Sequence, residues 1–145
     1  MRSSRRGGKR VRKYITEGIG LPQWSSPISH AVVVNDICYV SGQLAIDSAG
    51  NYVSGSVTDE ALQAFSNLFS AISAAGFHKN DLAFIDVALI DIADIDQLNS
   101  VYRHLFVDGR RPARTVCQAA ALPFGGKVKI CGVAIRDRSP SGNDD

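Results

Sequence analysis

The spacing of apolar positions changes several times along the chain, and each change marks an element. His30 to Asn35 and Ile37 to Ser41 are runs rich in Val, Ile and Tyr, separated at Asn35-Asp36. That pattern predicts a β-hairpin, because both turn residues tolerate left-handed backbone. Upstream, Tyr14 to Ile19 reads as a short edge strand closed by Gly18, Gly20 and Pro22; downstream, Ile46 to Val53 reads as a turn and a short strand. Leu62, Phe65, Leu68, Phe69 and Ile72 then recur at helical spacing, with Ser56 or Thr58 as the cap, Asp59 and Glu60 in the first turn and Gly76 as the stop. Leu82 to Ile92 is apolar on both parities apart from Asp86 and Asp91, as expected of a central strand covered on two faces. Asp94-Ile95-Asp96-Gln97 opens a second helix with Leu98, Val101, Tyr102, Leu105 and Phe106 facing inward. Lys127 to Asp137 is the last strand.

Strands, helix, strand, helix, strand, strand is an α+β order. Two amphipathic helices cover only one face of such a sheet, yet its central strands are apolar on both. The uncovered face therefore calls for a partner, and a second copy of the chain is the simplest one.

Length and composition agree with one domain, placed at residues 14–137 between a basic arm, 1–13, and a polar tail, 138–145. The 145 residues are 45% apolar and 21% charged, ordinary values for a soluble globular protein. Seven of the sixteen Lys and Arg fall in residues 1–13, leaving nine cations against fourteen acids, a balance of −5, for the rest. Such an arm suits an anionic surface or a plain solvated terminus. The mildly acidic body and the lack of interleaved aromatics argue against nucleic acid. No run approaches the roughly 18 apolar residues needed to span a bilayer, and no secretion signal follows the charges. Cys38, Cys117 and Cys131 form no C-x-x-C pair and sit in apolar runs, which suggests a reducing, cytoplasmic compartment. His30, His78 and His104 are too scattered to argue a metal, and no cofactor motif is present.

The remaining chemistry centres on Arg111-Pro112-Ala113-Arg114-Thr115-Val116-Cys117-Gln118. Arg114 stands where a proline-punctuated loop becomes a strand, and it offers a planar fork suited to a carboxylate or to a surface ion pair. With Ser25-Ser26-Pro27-Ile28-Ser29-His30-Ala31-Val32, Val40-Ser41-Gly42-Gln43, Ala74-Ala75-Gly76, Asn99-Ser100-Val101-Tyr102, Phe106 and Leu122-Pro123, the stretch resembles the Rid (YjgF) family of enamine/imine deaminases over about residues 14–137.

The resemblance implies a chorismate-mutase-like fold: about six strands in a mixed or antiparallel sheet, two helices on one face, and a homotrimer with a barrel core and intersubunit clefts. It implies a small imine, enamine or keto carboxylate as ligand, gripped by Arg114. Water would be held by the Val116 carbonyl, and Ser41, Gly42, Gln43 and Asn99 would line or shape the cleft. Lys129 stands where the family's last strand carries a glutamate, and Ile28 replaces a loop tyrosine. An ammonium does not do a carboxylate's work on water at neutral pH. Lys129 then reads as a second anion contact selecting an acidic imine, as the mark of a binder that has lost hydrolysis, or as an outward-pointing strand lysine. The family's translation-inhibitor or ribonuclease activities would draw only on residues 1–13.

Overall fold

The computed structural model describes residues 12–138, so most of the basic arm and of the tail lie outside the described residues. Strands β1 (Arg12–Ile15), β2 (Ala31–Val34), β3 (Ile37–Gln43), β4 (Leu82–Leu89), β5 (Ala113–Gln118) and β6 (Val128–Ile135) form one sheet in the order β1-β2-β3-β6-β4-β5. All neighbours are antiparallel except β4 and β5. Helices α1 (Val57–Ala74) and α2 (Ile95–Leu105) pack against it. The expected α+β sheet of six strands with two helices is thus found.

The local rules that form these elements are visible. Asn35 takes the left-handed conformation, φ 55°, between β2 and β3. Ser56 caps α1 in a reciprocal box with Asp59, and Gly76, at φ 88°, ends it. α2 starts differently from the sequence expectation. Asp91, not Asp94, supplies the side-chain cap, accepting from the Ala93 N–H at 2.9 Å and opening a 3-10 turn that leads into the helix. β1 lies earlier than Tyr14 to Ile19 and takes in Arg12 and Lys13, which charge alone assigns to the arm. The run from Ile46 to Val53 makes only an isolated bridge, Ile46 with Tyr52.

The core lies between the sheet and the helices. Phe65, Leu68 and Ile72 of α1 and Leu98, Val101 and Tyr102 of α2 meet Cys38 and Val40 of β3, Ile85, Val87 and Leu89 of β4, and Val128, Ile130 and Ala134 of β6. Leu62 departs from its expected inward position and is 40% exposed, Ala61 and Ala64 taking the core positions beside it.

The other sheet face is bare. Cross-strand register aligns Tyr14, Val32, Tyr39, Val133, Phe84 and Ala113 in a row across all six strands. Tyr14 is 60% exposed, Tyr39 50% and Phe84 37%. A contiguous apolar row across a whole sheet is more than the ordinary scatter of single apolar side chains on a surface. No helix among the described residues is long and apolar enough to cross a membrane.

Candidate active site

Pro112 is buried at the end of the loop after α2, and β5 begins one residue later on the sheet edge. Arg114 is therefore anchored close to a fixed point. Its guanidinium lies over the Tyr102 ring, 4.7 Å from the centroid. The Tyr102 hydroxyl donates to the Pro112 carbonyl at 3.3 Å. Burial pushes the Tyr102 phenol up, and the Arg114 charge partly opposes that. No carboxylate among the described residues lies within ion-pair distance of Arg114. Arg111, by contrast, is engaged: it donates from Nε to the Phe106 carbonyl at 3.3 Å and pairs with Asp108 at 3.2 Å. A cavity of about 300 Å³ opens here, lined by Asn99, Tyr102, Arg103, Arg111, Pro112 and Arg114. Val116, two residues along, packs partly against the core.

Lys129 belongs to a different cavity. Its stem runs across Gly42, where an added β-carbon would lie 2.9 Å from Lys129 Cδ and 3.2 Å from Cγ. The absence of a side chain at Gly42 is what admits the lysine. The surrounding cavity, about 330 Å³, has apolar walls from Trp24, Ile28, Leu44, Ile46 and Phe124. Lys129 has no acidic partner within ion-pair distance among the described residues. A half-buried, uncompensated cation between apolar walls is a site that favours an anion.

Strand alternation sets the two cations apart. Val128 and Ile130 flank Lys129 and are fully buried on the helix side, so Lys129 faces the bare side. Arg114 shares its face with Val116 and stacks on α2, the helix side. Thr115, between them, points the other way and donates to Asp86 across the strand pair. The two cavities have no lining residue in common. Of the remaining sequence-predicted residues, Asn99 joins Arg114, whereas Gly42 and Ile28 join Lys129. Ser41 and Gln43 lie behind the Lys129 cavity: Ser41 donates to the Ser29 carbonyl at 2.6 Å, and buried Gln43 donates to the Ser41 carbonyl at 3.2 Å.

A buried carboxylate lies near this second cavity without lining it. Glu60, 1% exposed, accepts from the Tyr52 hydroxyl at 2.6 Å, the Lys127 N–H at 2.9 Å and the Gly55 N–H at 3.3 Å, and it pairs with Lys127 Nζ at 3.3 Å. Burial alone would push its carboxyl up; these donors outweigh burial and hold it below the usual range. The node ties α1 to the Pro123–Gly125 turn, in which Phe124 sits at φ 62° and contributes a wall.

The sequence profile of a family described as Endoribonuclease L-PSP matches residues 21–136. The chain belongs to this family, the Rid family. A Bos taurus relative named 2-iminobutanoate/2-iminopropanoate deaminase is 40% identical over 127 residues, 87% of this chain and 91% of the relative. Among solved structures, RidA from an Antarctic Psychrobacter superposes with a TM-score of 0.79 at 32% identity, covering 86% of this chain and 100% of that one. Escherichia coli TdcF with bound serine gives 0.78 at 27% identity, covering 86% and 100%. The Rid fold thus extends over nearly all the described residues.

Three residues in or beside the two cavities are given no site role by the sequence. Tyr102 reads only as an apolar helix position, and the covering of its ring by a cation from β5 depends on packing. Glu60 reads as a first-turn acid beside Asp59, and nothing local separates the exposed capper from the buried node. Phe124 reads as part of a variable turn. Trp24, by contrast, reads from its Pro/Ser loop as a contact to a neighbouring chain, a cleft liner or a cap on its own core, and it lines the cavity with its ring tilted against His30, ring centroids 3.8 Å apart.

Proposed function

We propose that this protein hydrolyses a reactive enamine or imine carboxylate to the keto acid and ammonia. The observation that carries the reading is Arg114: a guanidinium held flat on an aromatic ring, free of any carboxylate among the described residues, with a cavity in front of it. Its fork accepts the substrate carboxylate in two parallel hydrogen bonds. The imine carbon is then presented to a water held at the Val116 carbonyl. The water oxygen bonds to that carbon as one water proton passes to nitrogen. The carbinolamine hydroxyl then gives its proton to nitrogen, the C–N bond breaks, ammonia leaves and a C=O remains. The deaminase names of relatives at 40% identity support the reaction class.

The working unit in this reading is a homotrimer. The bare apolar row supplies the association surface, and placing the Arg114 cavity of one chain against the Lys129 cavity of the next completes a site that neither face completes alone. Lys129 then meets a second anionic group, so an acidic imine is the preferred substrate class.

The test is ammonia release from 2-imino acids generated in place by an amino-acid oxidase. Arg114→Ala is expected to abolish the acceleration, and an unchanged rate would overturn the proposal. Calorimetric binding of a 2-keto acid that depends on Arg114, with no deamination of any imine supplied, would instead support a small-carboxylate binder.

A further inference from the structure

We propose that Tyr102 is the positioning residue of the carboxylate clamp: its ring sets the plane of the Arg114 guanidinium, and its hydroxyl fixes the carbonyl at the start of β5. The inference rests on the reading of Arg114 as the carboxylate contact. A free arginine has four side-chain torsions and loses much of that freedom when it grips a ligand. Stacking removes part of the loss before the ligand arrives. It also occupies only the face of the guanidinium, leaving its in-plane N–H edges for a carboxylate.

Tyr102 can hold this position because it is itself held. It is buried, edge-on to Phe65 of α1 with centroids 6.1 Å apart, and against Phe106 with centroids 4.8 Å apart. Its second link, hydroxyl to Pro112 carbonyl at 3.3 Å, fastens the residue two before Arg114. Pro112 has a restricted φ, so β5 leaves a stiff support. One side chain thus fixes both ends of the lever, the backbone from which Arg114 springs and the charged plane at its tip.

The test compares Tyr102→Phe, Tyr102→Leu, Arg114→Ala and the control Leu98→Ala, which removes an equally buried side chain of α2 that does not line the Arg114 cavity. Calorimetry with 2-oxobutanoate and steady-state KM are the readouts. Tyr102→Phe keeps the ring and should bind within about twofold of wild type. Tyr102→Leu should weaken binding about tenfold and raise KM more than it lowers kcat, whereas Leu98→Ala should lose stability without losing affinity. Wild-type affinity and KM in Tyr102→Leu, with Arg114→Ala inactive, would overturn the role of Tyr102 alone. An unaffected Arg114→Ala would overturn the clamp and this role together. A measurement that needs no folded variant is the Arg114 side-chain NMR spectrum of the wild type. Ring-current shifts and slowed Nε–H exchange are expected, and random-coil values would sink the proposal.

Discussion

Arg114 and Lys129 project from opposite faces of the same sheet. Arg114 rests on Tyr102 on the helix side, while Lys129 alternates with buried Val128 and Ile130 and faces the bare side. One small substrate can touch both only if they come from different chains. Arg114→Ala and Lys129→Ala proteins should therefore each be poor on an acidic imine, yet recover activity when denatured together and refolded as a mixture. In the proposed trimer, random assembly of three chains gives one intact site in each mixed trimer and on the order of a quarter of wild-type activity. The measurement is ammonia release before and after mixing, and no recovery would place both cations in one chain's site or Lys129 in none.

Much of this arrangement was legible in the sequence, and the part that was not has a physical cause. The hairpin at Asn35, the cap at Ser56 and the inward stripe of α2 are local, so spacing and turn chemistry suffice. Arg114 was legible as a charge set at a strand edge, and the bare apolar face followed from counting apolar faces against helices. Sidedness was not legible. It depends on the register of β6 against β3 and β4, and the β3 pairing shifts between Val40 and Gln43. Nor could spacing bring Trp24 and Phe124 to one cavity, since they lie on loops that only tertiary packing joins. Asp59 and Glu60 show the limit most clearly: adjacent acids on one helix turn, of which one caps the helix and the other is buried under a tyrosine and a lysine.

The three thiols should report the assembly. Cys38 is fully buried and its thiol is pushed up to about 11, so it should resist alkylation until the protein unfolds. Burial also pushes the Cys131 thiol up, with Asp86 adding to the shift and Lys129 opposing it. Cys117 is exposed in the single chain and shares the bare face with Thr115. In an oligomer built on that face, Cys117 should react slowly at high protein concentration and fast on dilution, as followed by mass spectrometry of labelled peptides. Equal rates at both concentrations would argue that this face stays open.

Acid should destabilise the protein in two stages. His30 is buried under Trp24, and burial holds its pKa below 6.5 despite the Nε2 contact with the Pro22 carbonyl at 2.8 Å. The unfolded chain therefore binds the proton first, and stability should begin to fall as pH drops through 6.5. Glu60 acts lower. Its folded pKa lies below its ordinary 4.5, so its contribution is complete above that value and is lost as pH falls through the folded pKa. Denaturant titrations across pH should show both limbs, with His30→Gln flattening the first. Glu60→Ala should flatten the second and cost about 3 kcal/mol at neutral pH, since it leaves the Lys127 and Gly55 N–H groups without their acceptor.

Gly42 offers a way to move Lys129 without removing its charge. A β-carbon there would meet Lys129 at Cδ, Cγ and Cε, at 2.9, 3.2 and 3.5 Å, all atoms of a flexible stem rather than backbone. The lysine can swing aside, so Gly42→Ala should lower stability by no more than about 1 kcal/mol. The ammonium, however, would leave its place between Trp24, Ile28 and Phe124. If Lys129 selects the second anion of the substrate, Gly42→Ala should lose preference for an acidic imine over a neutral one of similar size while keeping activity on the neutral one, because Arg114 is untouched on the other face. The ratio of kcat/KM for the two substrates is the measurement. An unchanged ratio in a normally folded Gly42→Ala protein, matched by an unchanged ratio in Lys129→Met, would assign Lys129 to solvent and leave Arg114 as the sole determinant of substrate charge.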